Sequence, residues 1–445
     1  MLGSWELFIA LELKEPLECN MQPKEPQSGC KDCAKALFLS WVGNLSFAAM
    51  AVIAINTRLV VPGRLDGIGW FTLETVQRMV SAHPEHDFHL IFDRNPPADL
   101  FPGKNVTVHW VWPPARRPFL VNWWMDRSIP RLLKKIQADL FLSPDGFLSR
   151  KTRVPQVAVQ HDLNFEHHPE WLPASVSKHY RWRFPDAAQR AVRLATVSQF
   201  SAKDISERYS IPADRIDVVY NGAATAYHQP LGVNPKQAAA AIRRRMTGGQ
   251  PFFVFVGTQH PRKNLEGLLK AFQSYREKGG TWDLLLVGTP MWRRRRFNAK
   301  DILAAAPEHV AKHVHRSGWL PQLDLAAVLA ASGALVFIPW FEGFGIPLIE
   351  AFSAGTPTIH SDRTSLPEVS QGSGLAVDPS DTEAVSIAMK RMEDEPALRE
   401  SLIEKGKDRA DDFSWDRTAQ LLWSCLVRAA KDSGMEWQDN SKVER

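Results

Sequence analysis

From residue 52 onward, short apolar runs of strand length alternate with stretches of helical period, and that alternation confines the chain to few folds. The first series of candidate strands is 52–56, 88–92, 106–111, 140–142, 157–160, 194–197 and 216–220. A connecting helix over 238–246 and the Gly248-Gly249 pair mark a boundary. A second series follows at 252–256, 284–287, 334–338, 356–359 and 375–377. Strands alternating with helices make parallel sheets covered on both faces. The expected fold class is therefore α/β, with two doubly wound, Rossmann-like domains at 50–248 and 249–417. In such sheets ligands bind beyond the carboxyl ends of the strands, so the cleft where two of them face each other is the natural site.

Residues 1–49 carry no sustained period. The stretch 36–55 lacks charge and is long enough to span a bilayer, but it contains Ser40, Gly43, Asn44 and Ser46 and ends in the first candidate strand. The extreme N-terminus is not basic and the apolar run comes late, which argues against a signal peptide. The segment is expected to be a poorly ordered extension, with the folded part starting near Met50.

Composition sets broad limits. At 445 residues with 44% hydrophobic and 23% charged side chains, the chain can bury an ordinary core in two or three domains. A net charge of +5 permits a phosphate-bearing ligand or an anionic membrane surface without requiring nucleic acid, for which no module is evident. Of the four cysteines, Cys30 and Cys33 form a C-x-x-C that no second pair completes into a zinc site, and so few thiols suit the reduced cytoplasm.

The most chemically specific stretch is Glu342-Gly343-Phe344-Gly345-Ile346-Pro347-Leu348-Ile349-Glu350. An apolar strand leads into it, Pro347 suits the first turn of a helix, and Gly355 suits the position just past its end. The layout is strand, glycine loop, helix. Gly343 and Gly345 let backbone come close to a ligand, and the helix start at Ile346 offers free N–H groups to an anion. Glu350, one turn in, can accept hydrogen bonds from a ribose.

A second constellation follows the strand 252–256: Gly257-Thr258-Gln259-His260-Pro261-Arg262-Lys263-Asn264. Asn264 is a good N-cap for the helix that carries Leu265, Leu268, Leu269 and Phe272 at helical spacing. Two cations at a positive helix end suit a pyrophosphate. A third candidate is His161-Asp162, directly after the strand 157–160. A metal set of His161, Asp162, His167 and His168 is an alternative reading; a serine hydrolase is not favoured, because no nucleophile elbow occurs.

The Glu342–Glu350 string and its continuation Ala351-Phe352-Ser353-Ala354-Gly355-Thr356-Pro357 resemble the paired-glutamate motif of the retaining glycosyltransferases of family 4 (glycosyl transferases group 1). The resemblance covers about residues 50–430. It implies the GT-B fold, with an acceptor-side first domain, a nucleotide-sugar-binding second domain, and a C-terminal helix and tail at 418–445 that cross back to the first. It also implies roles for residues. Arg262 and Lys263 neutralise the donor pyrophosphate, Glu342 holds donor-sugar hydroxyls, and His161 faces that sugar from the first domain. Gly67, Gly69, Gly257, Gly343, Phe344, Gly345, Ile346 and Glu350 complete the donor site. Thr258 departs from the arginine that many members carry after the glycine, so that role passes to Arg262. Ser198 and Tyr220-Asn221-Gly222 resemble further landmarks on the cleft side.

The implied reaction is retaining, metal-independent transfer of a hexose, with mannose slightly favoured, from a nucleotide-diphosphate sugar. The acceptor would be a glycan or a lipid-linked saccharide in cell-surface polysaccharide assembly. No cofactor or metal is expected, only the donor as substrate. The alternatives are a non-catalytic nucleotide-sugar-binding protein and another GT-B enzyme such as a sugar-nucleotide epimerase. A basic, Trp-rich neighbourhood at Arg116, Arg117, Trp123, Trp124, Arg127, Lys134 and Lys135, with a second cluster at Arg293–Arg296, suits a lipid-pyrophosphate acceptor or a membrane. The expected location is cytoplasmic, with peripheral contact at the cytoplasmic face of the membrane.

Overall fold

The structure, a computed structural model, describes residues 50–437 except 62, 64, 97–99, 229, 233, 291–302 and 305–306. The expected N-terminal extension with Cys19, Cys30 and Cys33, the Arg293–Arg296 cluster and the tail beyond 437 lie outside the described residues.

Two parallel sheets carry the fold. The first has seven strands in the order β3-β2-β1-β4-β5-β6-β7: β1 Val52–Asn56, β2 Asp87–Phe92, β3 Val106–Trp110, β4 Leu140–Ser143, β5 Gln156–Val159, β6 Arg193–Thr196 and β7 Ile216–Val218. The second has six in the order β10-β9-β8-β11-β12-β13: β8 Phe252–Val256, β9 Asp283–Val287, β10 Val314–Gly318, β11 Ala334–Phe337, β12 Thr358–Ser361 and β13 Leu375–Val377. Every pairing is parallel. The chain is thus an α/β protein of two doubly wound, Rossmann-like lobes, here called the first and second lobe. Strands buried on both faces read as unbroken apolar runs, which is why Phe252–Val256 and Ala334–Phe337 show in the sequence. Edge strand β10 does not. Its His315, Arg316 and Ser317 face partly outward, so neither hydrophobicity nor alternation marks it.

Two segments join the lobes. After β7 the chain runs through Tyr220-Asn221-Gly222, a short turn Thr225–Tyr227 and the helix Pro235–Thr247 into β8. At the other end the helix Trp415–Asp432 packs against the helix Gly67–Ala82 and β6 of the first lobe. Trp415, Leu422, Trp423, Leu426 and Ala429 on that last helix are buried, and Trp423 stacks on His83 at 3.6 Å between ring centres. The two connections touch. A Cβ on Gly222 would lie 2.2 Å from the Trp415 nitrogen, so only glycine fits there.

Candidate active site

In the order β9-β8-β11-β12, strands β8 and β11 flank the point where the chain reverses direction across the sheet. Doubly wound sheets bind ligands there. The Arg262-Lys263 loop follows β8 and the Glu342–Glu350 string follows β11, so both motifs sit on one crevice. The Trp340 N–H donates to the Arg262 carbonyl at 2.8 Å and locks the two loops together.

Pro261–Lys263 forms a single 3-10 turn in front of the helix Leu265–Glu277. Asn264 caps that helix, accepting from the Gly267 N–H at 3.2 Å, and its side-chain amide also donates to the Pro379 carbonyl at 2.8 Å. Gly257 adopts φ +149°, and a Cβ there would touch the Lys263 side chain at 3.5 Å. The second motif builds the helix Ile346–Ser353 on a left-handed Gly345 at φ +99°, with Pro347 in its first turn. A Cβ on Gly345 would press on Leu366 at 2.3 Å.

Glu342 is buried and holds both cations, with Arg262 Nη1 at 2.8 Å and Lys263 Nζ at 2.5 Å from its two oxygens. Burial alone would push its carboxyl up, but the two cations more than offset that and hold it below the ordinary carboxylate range. Burial brings the Lys263 ammonium down to about 8. The Arg262 charge adds to the fall, and Glu342 offsets it only in part. For Arg262, Glu342 and Asp162 outweigh burial and raise the guanidinium. Glu350 is partly exposed as a residue, yet desolvation of its carboxyl raises it to about 7, against a hydrogen bond from Tyr227 and the charge of Lys263.

Across the cleft, His161 follows β5. Its Nε2–H donates to the Pro144 carbonyl at 2.9 Å, which leaves Nδ1 as the acceptor. Burial lowers its pKa, so the ring is neutral. Gly67 and Gly69, which the resemblance assigns to the donor site, lie in the first turn of the helix Gly67–Ala82, whose N-cap Asp66 accepts from the Gly69 N–H at 2.9 Å. A Cβ on Gly67 would stand 3.7 Å from Ile346 Cδ1, so two helix N-termini approach each other over the cleft. Phe344 is placed differently from a cleft side chain. Its ring is buried against Phe413 and Tyr220, at 5.4 and 6.1 Å, and only its backbone faces the motif loop.

The lobes also touch directly. Ser198 caps the helix Gln199–Tyr209 and donates from Oγ to the Gly343 carbonyl at 2.6 Å. A Cβ on Gly343 would stand 2.3 Å from the His161 carbonyl oxygen. The Glu368 carboxylate of the second lobe accepts from the Gln199 and Phe200 N–H groups at 2.8 and 3.0 Å and from the Tyr220 hydroxyl at 2.8 Å. Neither Glu368 nor Tyr227 was legible as a site residue, since each is a single residue in no motif. A polar group at the ends of β1 and β4 was also missed. There Arg58 pairs with Asp145 and donates to the Ala115 carbonyl at 2.9 Å, and Asn56 donates to Ser143 Oγ at 3.0 Å.

The alternative metal set does not assemble. His167 pairs with Asp204 at 2.9 Å, His168 with Glu170 at 3.1 Å, and His161 with backbone. Among the described residues no group of three His, Cys, Asp or Glu side chains could hold a metal ion.

The arrangement so far is a crevice of two cations, two carboxylates and two helix starts. The family description "Glycosyl transferases group 1" matches residues 240–409, the second lobe with both motifs, and "Glycosyltransferase Family 4" matches residues 65–227 of the first. The chain belongs to the group 1, family 4 glycosyltransferases. The transferase is 27% identical over 372 residues to the O-antigen chain mannosyltransferase B of Escherichia coli, covering 80% of this chain and 95% of that one. Its fold matches a sucrose-phosphate synthase from Thermosynechococcus elongatus with a TM-score of 0.68 at 19% identity, over 86% of this chain and all of that one. It also matches the Anabaena protein HepE, solved in complex with UDP and glucose, with a TM-score of 0.66 at 14% identity, over 85% of this chain and all of that one. The fold is therefore the GT-B fold of glycosyltransferases.

Proposed function

We propose that this transferase moves a hexose, mannose by preference, from a nucleotide-diphosphate sugar to a glycan or lipid-linked saccharide in cell-surface polysaccharide assembly. It does so with retention of configuration and without metal. The observation that carries the reading is the convergence of Arg262, Lys263, Glu342 and the start of the helix Ile346–Ser353 at the switch point of the second sheet. The preference for mannose is supported by the relationship to the O-antigen chain mannosyltransferase B. The HepE complex with UDP and glucose supports a nucleotide-linked sugar as donor.

In this reading the pyrophosphate sits against Arg262, Lys263 and the Ile346 helix start, which take up the charge that develops as it departs. Glu350 accepts the ribose hydroxyls. Glu342 gives up its cations to the phosphates and turns to the hydroxyls of the donor sugar. His161, neutral, faces the same sugar through Nδ1. The bond from the anomeric carbon to the phosphate oxygen breaks and its electron pair stays on that oxygen. The acceptor oxygen bonds to the anomeric carbon from the same face, and its proton passes to the departing phosphate oxygen. No protein base is required. Acceptor recognition falls to the first lobe, with contact to the membrane face.

A thermal-shift panel of nucleotide sugars without added metal tests the reading, since a ligand that binds only the folded state raises Tm. Stabilisation by a guanosine-linked mannose donor, lost in Lys263→Ala, is the expected result. No shift with any donor overturns the assignment. Binding without transfer to any acceptor would mark a non-catalytic nucleotide-sugar-binding protein.

A further inference from the structure

The buried ion pair of Arg58 and Asp145 takes no part in the transfer steps. Its side chains are 9% and 4% exposed, so neither reaches a ligand in the cleft. A buried pair is weak evidence for stability, because apolar side chains of similar volume often serve as well. Its surroundings show what it holds. Strands β1, β4 and β5 are neighbours in the first sheet, and Arg58, Asp145 and His161 each stand two residues past the carboxyl end of one of them. The turn 143–147 therefore lies between Arg58 and His161.

Asp145 staples that turn. Its Oδ1 accepts from Ser143 Oγ at 2.9 Å and from the Phe147 N–H at 3.2 Å, and its Oδ2 accepts from Arg58 Nε. Arg58 is fixed in its turn. Its Nη1 donates to the Ala115 carbonyl at 2.9 Å, its backbone N–H donates to Asn56 Oδ1 at 3.2 Å, and its guanidinium lies 5.5 Å from the centre of the Phe147 ring. Asn56 closes the circuit by donating from Nδ2 to Ser143 Oγ at 3.0 Å. Gly146 takes φ +81°, and a Cβ on it would strike the Phe184 ring at 2.7 Å, so the turn is closely packed from behind.

Pro144 lies inside the staple, and its carbonyl is the one that accepts the His161 Nε2–H at 2.9 Å. The imidazole also meets Phe71 edge to face, with ring centres 5.0 Å apart and planes at 88°. The tautomer of a histidine is set by the hydrogen bond that its other nitrogen makes. Whatever fixes the Pro144 carbonyl therefore decides which His161 nitrogen keeps its lone pair and where that lone pair points.

We propose that Asp145, clamped by Arg58, is a positioning residue for the transfer: it holds the Pro144 carbonyl against His161 Nε2 and so keeps Nδ1 as the acceptor turned to the donor sugar. The proposal rests on the donor-facing role of His161. Asp145 itself touches no reacting atom, and the buried charges serve geometry rather than stability.

The test compares Asp145→Asn, His161→Gln and the two combined. Asn keeps the shape and Oδ1 of the aspartate and removes the charge that faces Arg58. Asp145→Asn is expected to lower kcat by about 10–100-fold, the loss that follows removal of a group orienting a histidine at metal sites, and to keep the donor-induced Tm shift. The combined variant should be no slower than His161→Gln, because both changes remove one function. Nitrogen-15 spectra of histidine-labelled protein read the tautomer directly, with the His161 signals assigned by their loss in His161→Gln. The wild type should show the Nε2–H form alone, and Asp145→Asn a mixture of the two tautomers. A merely structural role would lower Tm without moving the tautomer. If Asp145→Asn fails to fold around an unbalanced Arg58, Arg58→Met/Asp145→Leu replaces it; that pair removes both buried charges, should fold, and should show the same slow turnover and mixed tautomers. An unchanged Nε2–H form in the variant that folds overturns the proposal, and so do losses that multiply when His161→Gln is added. Wild-type turnover by His161→Gln is a separate result: it removes the histidine from the transfer reading itself, and this proposal with it.

Discussion

Glu342 sits between the two cations proposed to take the donor pyrophosphate. In the proposed reading a pyrophosphate displaces its carboxylate from both. Glu342→Gln removes that competition, so a nucleoside diphosphate should bind about tenfold tighter, on the order of 1.4 kcal/mol. Transfer should nevertheless slow, because a hold on the donor sugar is lost. Calorimetry and turnover on one variant check both halves. Lys263→Ala should cost on the order of 3 kcal/mol in kcat/KM, as the loss of one preorganised donor to a developing charge does. The pH profile follows from two groups. As pH falls past about 7, Glu350 gains a proton and stops accepting from the ribose; as it rises past about 8, Lys263 loses the proton that pairs with phosphate. The kcat/KM profile, which reports groups of the free enzyme, should therefore be a narrow bell. Glu350→Gln should flatten its acid limb, and Lys263→Arg should carry its alkaline limb upward, since guanidinium stays charged.

At the scale of elements, the lobes meet through helix ends and loops. The helix Gln199–Tyr209 has its first N–H groups satisfied by Ser198 from its own lobe and by Glu368 from the other. A carboxylate at a helix N-terminus is favoured by the dipole. Glu368→Ala should lower unfolding stability by about 1 kcal/mol, as loss of a cap does. Gly343 is the tighter contact. An alanine there meets the His161 carbonyl at 2.3 Å, so the lobes must part. Displacement on that scale costs about 100-fold in rate when reacting groups are misplaced. Gly343→Ala is expected to fold, to bind donor in the second lobe, and to lose turnover by that factor. Steady-state kinetics beside a donor Tm shift will show whether binding and transfer separate.

For the whole molecule, the helix Trp415–Asp432 makes the two lobes interdependent, since the last segment of the chain fills the core of the first lobe. Leu426 is fully buried there. Leu426→Ala should cost about 2–5 kcal/mol in denaturant unfolding, the range for a leucine cut to alanine in a packed core. The loss should register in first-lobe probes although the residue is near the end of the chain. Chelation belongs to this scale as well. EDTA-treated enzyme should transfer sugar at the untreated rate. A loss of turnover restored by a divalent cation would show that Arg262 and Lys263 do not suffice for the departing pyrophosphate.

The sequence by itself determined the class of fold and the make-up of the two loops at the switch point of the second sheet. Strands buried on both faces, such as Phe252–Val256 and Ala334–Phe337, must be written as apolar runs, and a loop that meets phosphate needs its glycines and cations contiguous. Both are local signals. The tertiary structure decided what distant residues do to one another. Nothing local distinguishes Tyr227 as a partner of Glu350, Glu368 as a clasp on residues 199 and 200, or Gly222 as the seat of Trp415. Nor does spacing reveal that Phe344 turns into the core, that Trp124 is buried while Trp123 is exposed, or that edge strand β10 exists. Those outcomes depend on packing between segments far apart in the chain, and no short window of sequence contains both sides of such a contact.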